Sequence, residues 1–290
     1  MTERIQKLLA RAGYGSRREI EQWIVAGEVL VNGKLAHLGQ QISAQDKVSW
    51  RGKSLHLESR LQATPKVILY HKTAGEVCTR TDPDGRPTVF ENLPRIKQGR
   101  WVMVGRLDVN TDGLLLFTTD GELANRLMHP SSEIEREYAT RVLGEVDAEM
   151  LNRLQMGVEL EDGPAKFLRI TDAGGEGANH WYHVVLAEGR NREVRRLWES
   201  QDVRVSRLIR IRYGHIMLPR HLRGGHYEEL DVKGMRRLYE SVGLTFDDGS
   251  LLQQRPPQRR LAERVNNEPR STNRRASSTR ETRSEGKPNA

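Results

Sequence analysis

The sequence is poor in cysteine and in long apolar runs, and each shortage excludes a class of protein. A single cysteine, Cys78, leaves no disulfide framework and no cysteine-based metal site within the chain. No apolar run approaches the ~18 residues that a membrane-spanning helix needs, and mean hydropathy is −0.68. The opening Met1-Thr2-Glu3-Arg4-Ile5-Gln6-Lys7 has no apolar segment of the secretory kind. The expectation is a soluble chain in a reducing, cytoplasmic setting, with no membrane partner. Gly174-Gly175-Glu176-Gly177 lacks the strand-then-helix setting of a dinucleotide site and reads as a loop. The phosphate loop Gly-x-x-x-x-Gly-Lys-Ser/Thr does not occur, and His180 and His183 have no recognisable third ligand. No metal and no cofactor is implied.

What the chain holds in excess is positive charge. Its 290 residues carry 47 Lys and Arg against 39 Asp and Glu, a net +8, which points to a polyanionic partner. The excess sits at the two ends. Residues 1–60 have 10 basic and 6 acidic side chains, residues 251–290 have 10 and 4, and the middle is at −2. Ends of this kind suit a nucleic acid held by its backbone while the middle acts more selectively.

Ile5, Leu8, Leu9 and Ala12 share one helical face, and Gly13-Tyr14-Gly15 breaks that helix. Ser16-Arg17-Arg18-Glu19 reads as a capping box opening a second helix through Ile20, Trp23 and Ile24, which stops near Gly27. Val29-Leu30-Val31 and Lys34-Leu35-Ala36 around Asn32-Gly33 read as a hairpin. Arg11, Arg17 and Arg18 gather at the helix–helix junction. Arg60 to Pro65 lacks periodicity and reads as a linker, and Val67-Ile68-Leu69-Tyr70 resumes as a strand.

The central stretch is Gly105-Arg106-Leu107-Asp108-Val109-Asn110-Thr111-Asp112-Gly113, a polar loop between Trp101–Val104 and Leu114–Phe117. Both flanks are too apolar to face water on either side, so they belong in a core. From the residues alone Asp108 either caps a turn or is a reactive carboxylate held on a rigid sheet. Glu135–Val142 alternates as a strand presenting Tyr138, where a tyrosine serves packing or a site equally well. Beyond the strand His183–Leu186, Glu188-Gly189-Arg190-Asn191-Arg192-Glu193-Val194-Arg195-Arg196-Leu197 enters a helix. Its Val194, Leu197 and Trp198 bury one side. From about residue 246 the apolar pattern dissolves, and a basic disordered tail over 246–290 is expected.

Gly-Arg-Leu-Asp followed by Thr-x-Gly-Leu-Leu-Leu resembles the signature of the pseudouridine synthases, in the branch that acts on ribosomal RNA. Residues 1–60 are similar to the RNA-binding module of ribosomal protein S4. The resemblance covers about residues 1–235. It implies an α/β (α+β) chain: an S4-like domain over 1–60, a linker at 61–65, and a catalytic domain over 66–240 with a mixed, largely antiparallel sheet. It implies Asp108 as nucleophile, Arg195 as the basic residue paired with it, and Tyr138 stacked on the target base. Arg106 would occupy the space the flipped base leaves, and Leu208 or Ile209 would line the floor under the uracil. Arg11, Arg17 and Arg18 would bind RNA, with Arg192 and Arg196 as phosphate ligands. The expected partner is the large-subunit (23S) ribosomal RNA precursor, one uridine of which a monomer isomerises without a cofactor. The rivals are a synthase for another rRNA uridine and a non-catalytic RNA-binding assembly factor.

Overall fold

A computed structural model of the chain describes residues 2–176 and 179–247; the expected tail lies almost wholly outside them. The first domain begins with β1 (Glu3–Arg4) and α1 (Ile5–Arg11), followed by α2 (Arg17–Val25), β2 (Val29–Val31) and β3 (Lys34–Leu35). β4 (Gln41–Ile42) pairs with β1, and β5 (Val48–Trp50) and β6 (Lys53–Leu55) complete a four-stranded sheet in the order β3-β2-β5-β6. The capping box is present: the Glu19 amide donates to Ser16 Oγ at 3.1 Å and the Ser16 amide to Glu19 Oε2 at 2.6 Å. Asn32 and Gly33 take φ of +51° and +82°, the angles the two-residue hairpin turn requires. Ile5, Leu9 and Ile20 are fully buried, and Trp23 stacks on Trp50 at 4.3 Å.

The expected linker is shorter than its sequence suggests. Leu57–Leu61 forms α3, and Arg60 lies over the Tyr14 ring at 4.5 Å while donating to the Ala12 carbonyl. Five residues are too short a helix to show a period, so the signal was absent.

The second domain is organised on β9 (Asp112–Thr118). β7 (Val67–Lys72) flanks one edge; β8 (Val102–Val104) and β15 (Arg204–Tyr213) share the other. With β10 (Arg136–Leu143), β13 (Arg169–Glu176), β14 (Asn179–Leu186) and β17 (Tyr227–Glu229), the path runs β13-β14-β10-β15-β9-β7-β17. The short β16 (Ile216–Met217) pairs with β15. β15 and β9 run parallel, and the other pairs of this sheet are antiparallel. Gly174 to Glu176 belong to β13, beyond a bulge after Asp172, not to a loop. A glycine run carries no alternation, so sequence gave no sign of the ladder; Gly177 lies outside the described residues.

Alternate residues of β9 feed two cores. Leu115 and Phe117 face one shared with α5 (Ala148–Met156) and α6 (Glu193–Glu199); Leu114 and Leu116 face one shared with α4 (Gly121–Met128) and α7 (Val232–Glu240). All four side chains are fully buried, each worth about 1.5–3 kcal/mol of apolar transfer. The loop entering β9 therefore hangs from an element packed on both faces. A 3₁₀ turn (Pro130–Ser132) and the hairpin of β11 (Val158–Leu160) and β12 (Gly163–Ala165) complete the described fold.

Candidate active site

The loop between β8 and β9 is fixed through its main chain. The Thr111 amide donates to the Asp108 carbonyl at 3.0 Å, and the Gly75 amide to that of Val109 at 2.8 Å. Lys72, fully buried at the end of β7, donates to the Thr73, Val109 and Thr111 carbonyls at 3.0, 3.3 and 2.9 Å. Arg195 in α6 donates to the Asn110 carbonyl at 2.9 Å and, on its other arm, to Val205 in β15 at 2.8 Å. Every carbonyl from Asp108 to Thr111 thus has a donor. The half-buried Asp108 carboxylate makes no hydrogen bond and no ion pair within 4.0 Å among the described residues.

The two buried cations act on Asp108 through space. Burial pushes the Lys72 and Arg195 pKa values down; Arg192 adds to this for Arg195, while the charge of Asp108 opposes it at both. The expected Arg195–Asp108 contact accordingly takes another form: the guanidinium holds the loop's backbone and leaves the carboxylate unengaged. A carboxylate with cations nearby and no donor on its oxygens keeps its lone pairs for a substrate.

The close contact of β9 with β15 comes from Gly113. At φ +108°, a Cβ there would lie 2.3 Å from the Arg210 carbonyl oxygen. β15 pairs with β9 only at Asp112 and Gly113, and β8 pairs with β9 only from Leu116 onward. The Arg210 Nε fills the break by donating to the Leu114 carbonyl at 2.8 Å.

Asp108 opens into a cleft of about 1020 Å³. Tyr138 and Leu208 line it from neighbouring strands, both buried, and the Tyr138 hydroxyl has no partner among the described residues. Ile209 does not line it, because the period of two turns it to the opposite sheet face. Six arginines line the cleft: 86, 106, 136, 190, 192 and 210. Most are engaged. Arg86 forks onto Asp82, which is held down to about 2, and Arg136 donates to the Ile134 and Ala187 carbonyls. Arg190 meets Glu188, Glu193 and Asp162. Arg192 lies 3.6 Å from Glu199. Arg106, exposed at the mouth, has no hydrogen bond or ion pair among the described residues.

Arg196 stands outside the cleft lining and forks onto Asp162 at 2.7 and 2.8 Å, so a phosphate there competes with a carboxylate already in place. Arg11, Arg17 and Arg18 line a separate cleft where the two domains meet. Sequence reading missed Lys72 and Arg210. Each had a signal: a lysine ending the apolar run Val67–Tyr70, and an arginine two residues from Leu208 in β15, hence on its face.

Residues 66–200 match the family described as RNA pseudouridylate synthase, and residues 3–48 match the S4 domain. The chain is 58% identical over 243 residues to a Pseudomonas aeruginosa protein named ribosomal large subunit pseudouridine synthase B, spanning 83% of this chain and 63% of that protein. An Escherichia coli K12 protein of the same name is 55% identical over 263 residues, 90% of each chain. Among solved structures, a pseudouridylate synthase superposes with a TM-score of 0.57 at 24% identity, covering 81% of this chain and 99% of that one.

Proposed function

The chain belongs to the RNA pseudouridylate synthase family, and from that premise we propose that it isomerises one uridine of large-subunit ribosomal RNA to pseudouridine, with Asp108 as nucleophile. The observation that carries the assignment is the unengaged Asp108 carboxylate in an arginine-rich cleft, on a loop whose carbonyls are all bonded. The large-subunit target is carried over from the names of its relatives. A ribosomal RNA substrate supports a cytoplasmic location.

The N1–C1′ bond breaks, a C5–C1′ bond forms, the C5 proton leaves and N1 gains one. The formula is unchanged, so no cofactor enters the balance. The target base leaves its stack at a cost of a few kcal/mol. Arg106, unpartnered at the mouth, takes the vacated place. Tyr138 offers a ring face to the base and Leu208 an apolar floor. Asp108 attacks uracil C6 or ribose C1′, and Lys72 and Arg195 hold its loop through either course.

The test compares wild type and Asp108→Asn on protein-free large-subunit ribosomal RNA, with pseudouridine mapped by carbodiimide-stop primer extension. One new stop with wild type and none with the variant, at equal RNA affinity, is expected. Equal signals from the two proteins would refute the nucleophile. No modification of any ribosomal RNA or immature particle would favour an assembly factor.

A further inference from the structure

The small domain contacts the catalytic domain at a narrow seam. At Gly13, φ +81°, a Cβ would lie 2.5 Å from the Gly99 Cα, so the α1–α2 turn lies backbone to backbone on the loop before β8. Lys7 reaches Glu122 of α4 at 3.6 Å. Beside these contacts lies a cleft of about 800 Å³ lined by Lys7, Arg11, Arg17, Arg18, Arg60 and Arg100.

Its carboxylates are engaged. Glu3 is shared by Arg11 and Lys7, and Glu122 by Arg126 and Lys7; Asp120 caps α4 and accepts from the Tyr239 hydroxyl. Arg17, Arg18, Arg60 and Arg100 have no carboxylate within 4.0 Å among the described residues. Arg100 is half-buried, and its Nε is enclosed with no hydrogen-bond partner. Burial, then Arg80, then Arg17 push its pKa down, with only Glu19 opposing. Glu19 is already the acceptor of the capping box. Arg80 is pinned over the Phe90 ring at 4.2 Å and donates to the Trp101 carbonyl. Guanidinium groups crowded around one committed carboxylate form a site short of negative charge, which an anion relieves.

Met128, at the end of α4, lines both this cleft and the one containing Asp108, so the two adjoin at that side chain. We propose that the seam is a second phosphate site for the substrate RNA, with Arg100 of the catalytic domain and Arg17 of the small domain as its ligands. The backbone flanking the target uridine leaves the catalytic cleft over Met128 and passes between the domains. The small domain is then a grip that closes on RNA only in company with Arg100. This assignment rests on the proposed function above.

The test uses full-length protein in the Asp108→Asn background, which binds without turning over. RNA affinity is measured against salt for Arg100, Arg100→Gln and Arg100→Lys. Arg100→Gln should weaken binding about tenfold and lower the log–log salt slope by about one, and Arg100→Lys should recover most of both. The free Arg100→Gln protein should melt at the same temperature or higher, since a crowded cation is gone, and inorganic sulfate should raise its Tm less than that of the Arg100 protein.

Unchanged affinity and slope would overturn the proposal, as would a lost sulfate response without an RNA effect, which marks an adventitious ion only. Weaker binding with a lower Tm would make Arg100 a structural residue and also overturn it. In either case wild type still modifying its RNA leaves the proposed function standing. A wild type that neither binds nor modifies would remove both.

Discussion

Lys72→Met separates holding the fold from holding the site. The replacement keeps most of the buried volume and removes the ammonium. The Val109 carbonyl retains the Gly75 amide, and that of Thr73 retains the Glu76 amide at 3.4 Å. The Thr111 carbonyl has no other donor among the described residues and is orphaned. One orphaned buried carbonyl costs about 1–3 kcal/mol, and each lost bond to a charge adds a comparable amount. Removing a desolvated ammonium returns part of that. A net loss of about 2–3 kcal/mol follows, which at roughly 2–4 °C per kcal/mol is about 5–10 °C in Tm. Activity should fall further than stability, by about 10²-fold at a temperature where the variant is fully folded, since a displacement near 1 Å at a reacting group has that effect. Thermal melting by circular dichroism and single-turnover pseudouridine formation measure the two. A variant that loses stability but keeps its rate would show that Lys72 serves the fold and not the Asp108 loop, and the reasoning would fail.

Glu193, buried beside Glu188 and Arg190, has its pKa raised to about 7 by burial and then by Glu188. The folded state therefore holds a proton that the unfolded state releases near 4.5, and stability falls as pH rises from there to about 7. Glu193→Gln should leave Tm nearly unchanged below pH 4.5 and raise it by about 7–14 °C at pH 8; a constant difference would contradict this. Gly113→Ala puts a methyl 2.3 Å from the Arg210 carbonyl oxygen at positive φ, so denaturant unfolding should show a loss above about 3 kcal/mol. The control Gly105→Ala, also at positive φ but with open space around it, should lose only about 1–2 kcal/mol. Tyr138→Phe should retain rate and stability, because its hydroxyl has no partner among the described residues. Tyr138→Ala should lower RNA affinity or rate by about 1–3 kcal/mol, the value of one base–aromatic stack.

The readable parts of the site were those written in contiguous residues. The capping box at Ser16 and the Asn32-Gly33 turn depend on local chemistry, and both formed as read. So did the unbroken apolar run of β9, which had to be buried on both faces. Asp108 was conspicuous because its polar loop interrupts two such runs. Leu208 and Ile209 were indistinguishable until the pairing of β15 with β10 and β9 fixed which faced the cleft. A strand's period orders its faces but does not name the inner one.

Sequence by itself thus determined the apolar strand that anchors the Asp108 loop, the local caps and turns, and the excess of cations. Tertiary structure decided what each cation does. The arginines between 190 and 212 look alike in one dimension. Folding sends Arg195 to a loop carbonyl, Arg196 to Asp162 and Arg210 into a gap in the sheet, while Arg106 stays unpaired at the mouth. The partners lie 34 to 96 positions away along the chain. A guanidinium's role is set by the acceptor within about 3 Å of it, and only the folded chain brings that acceptor near.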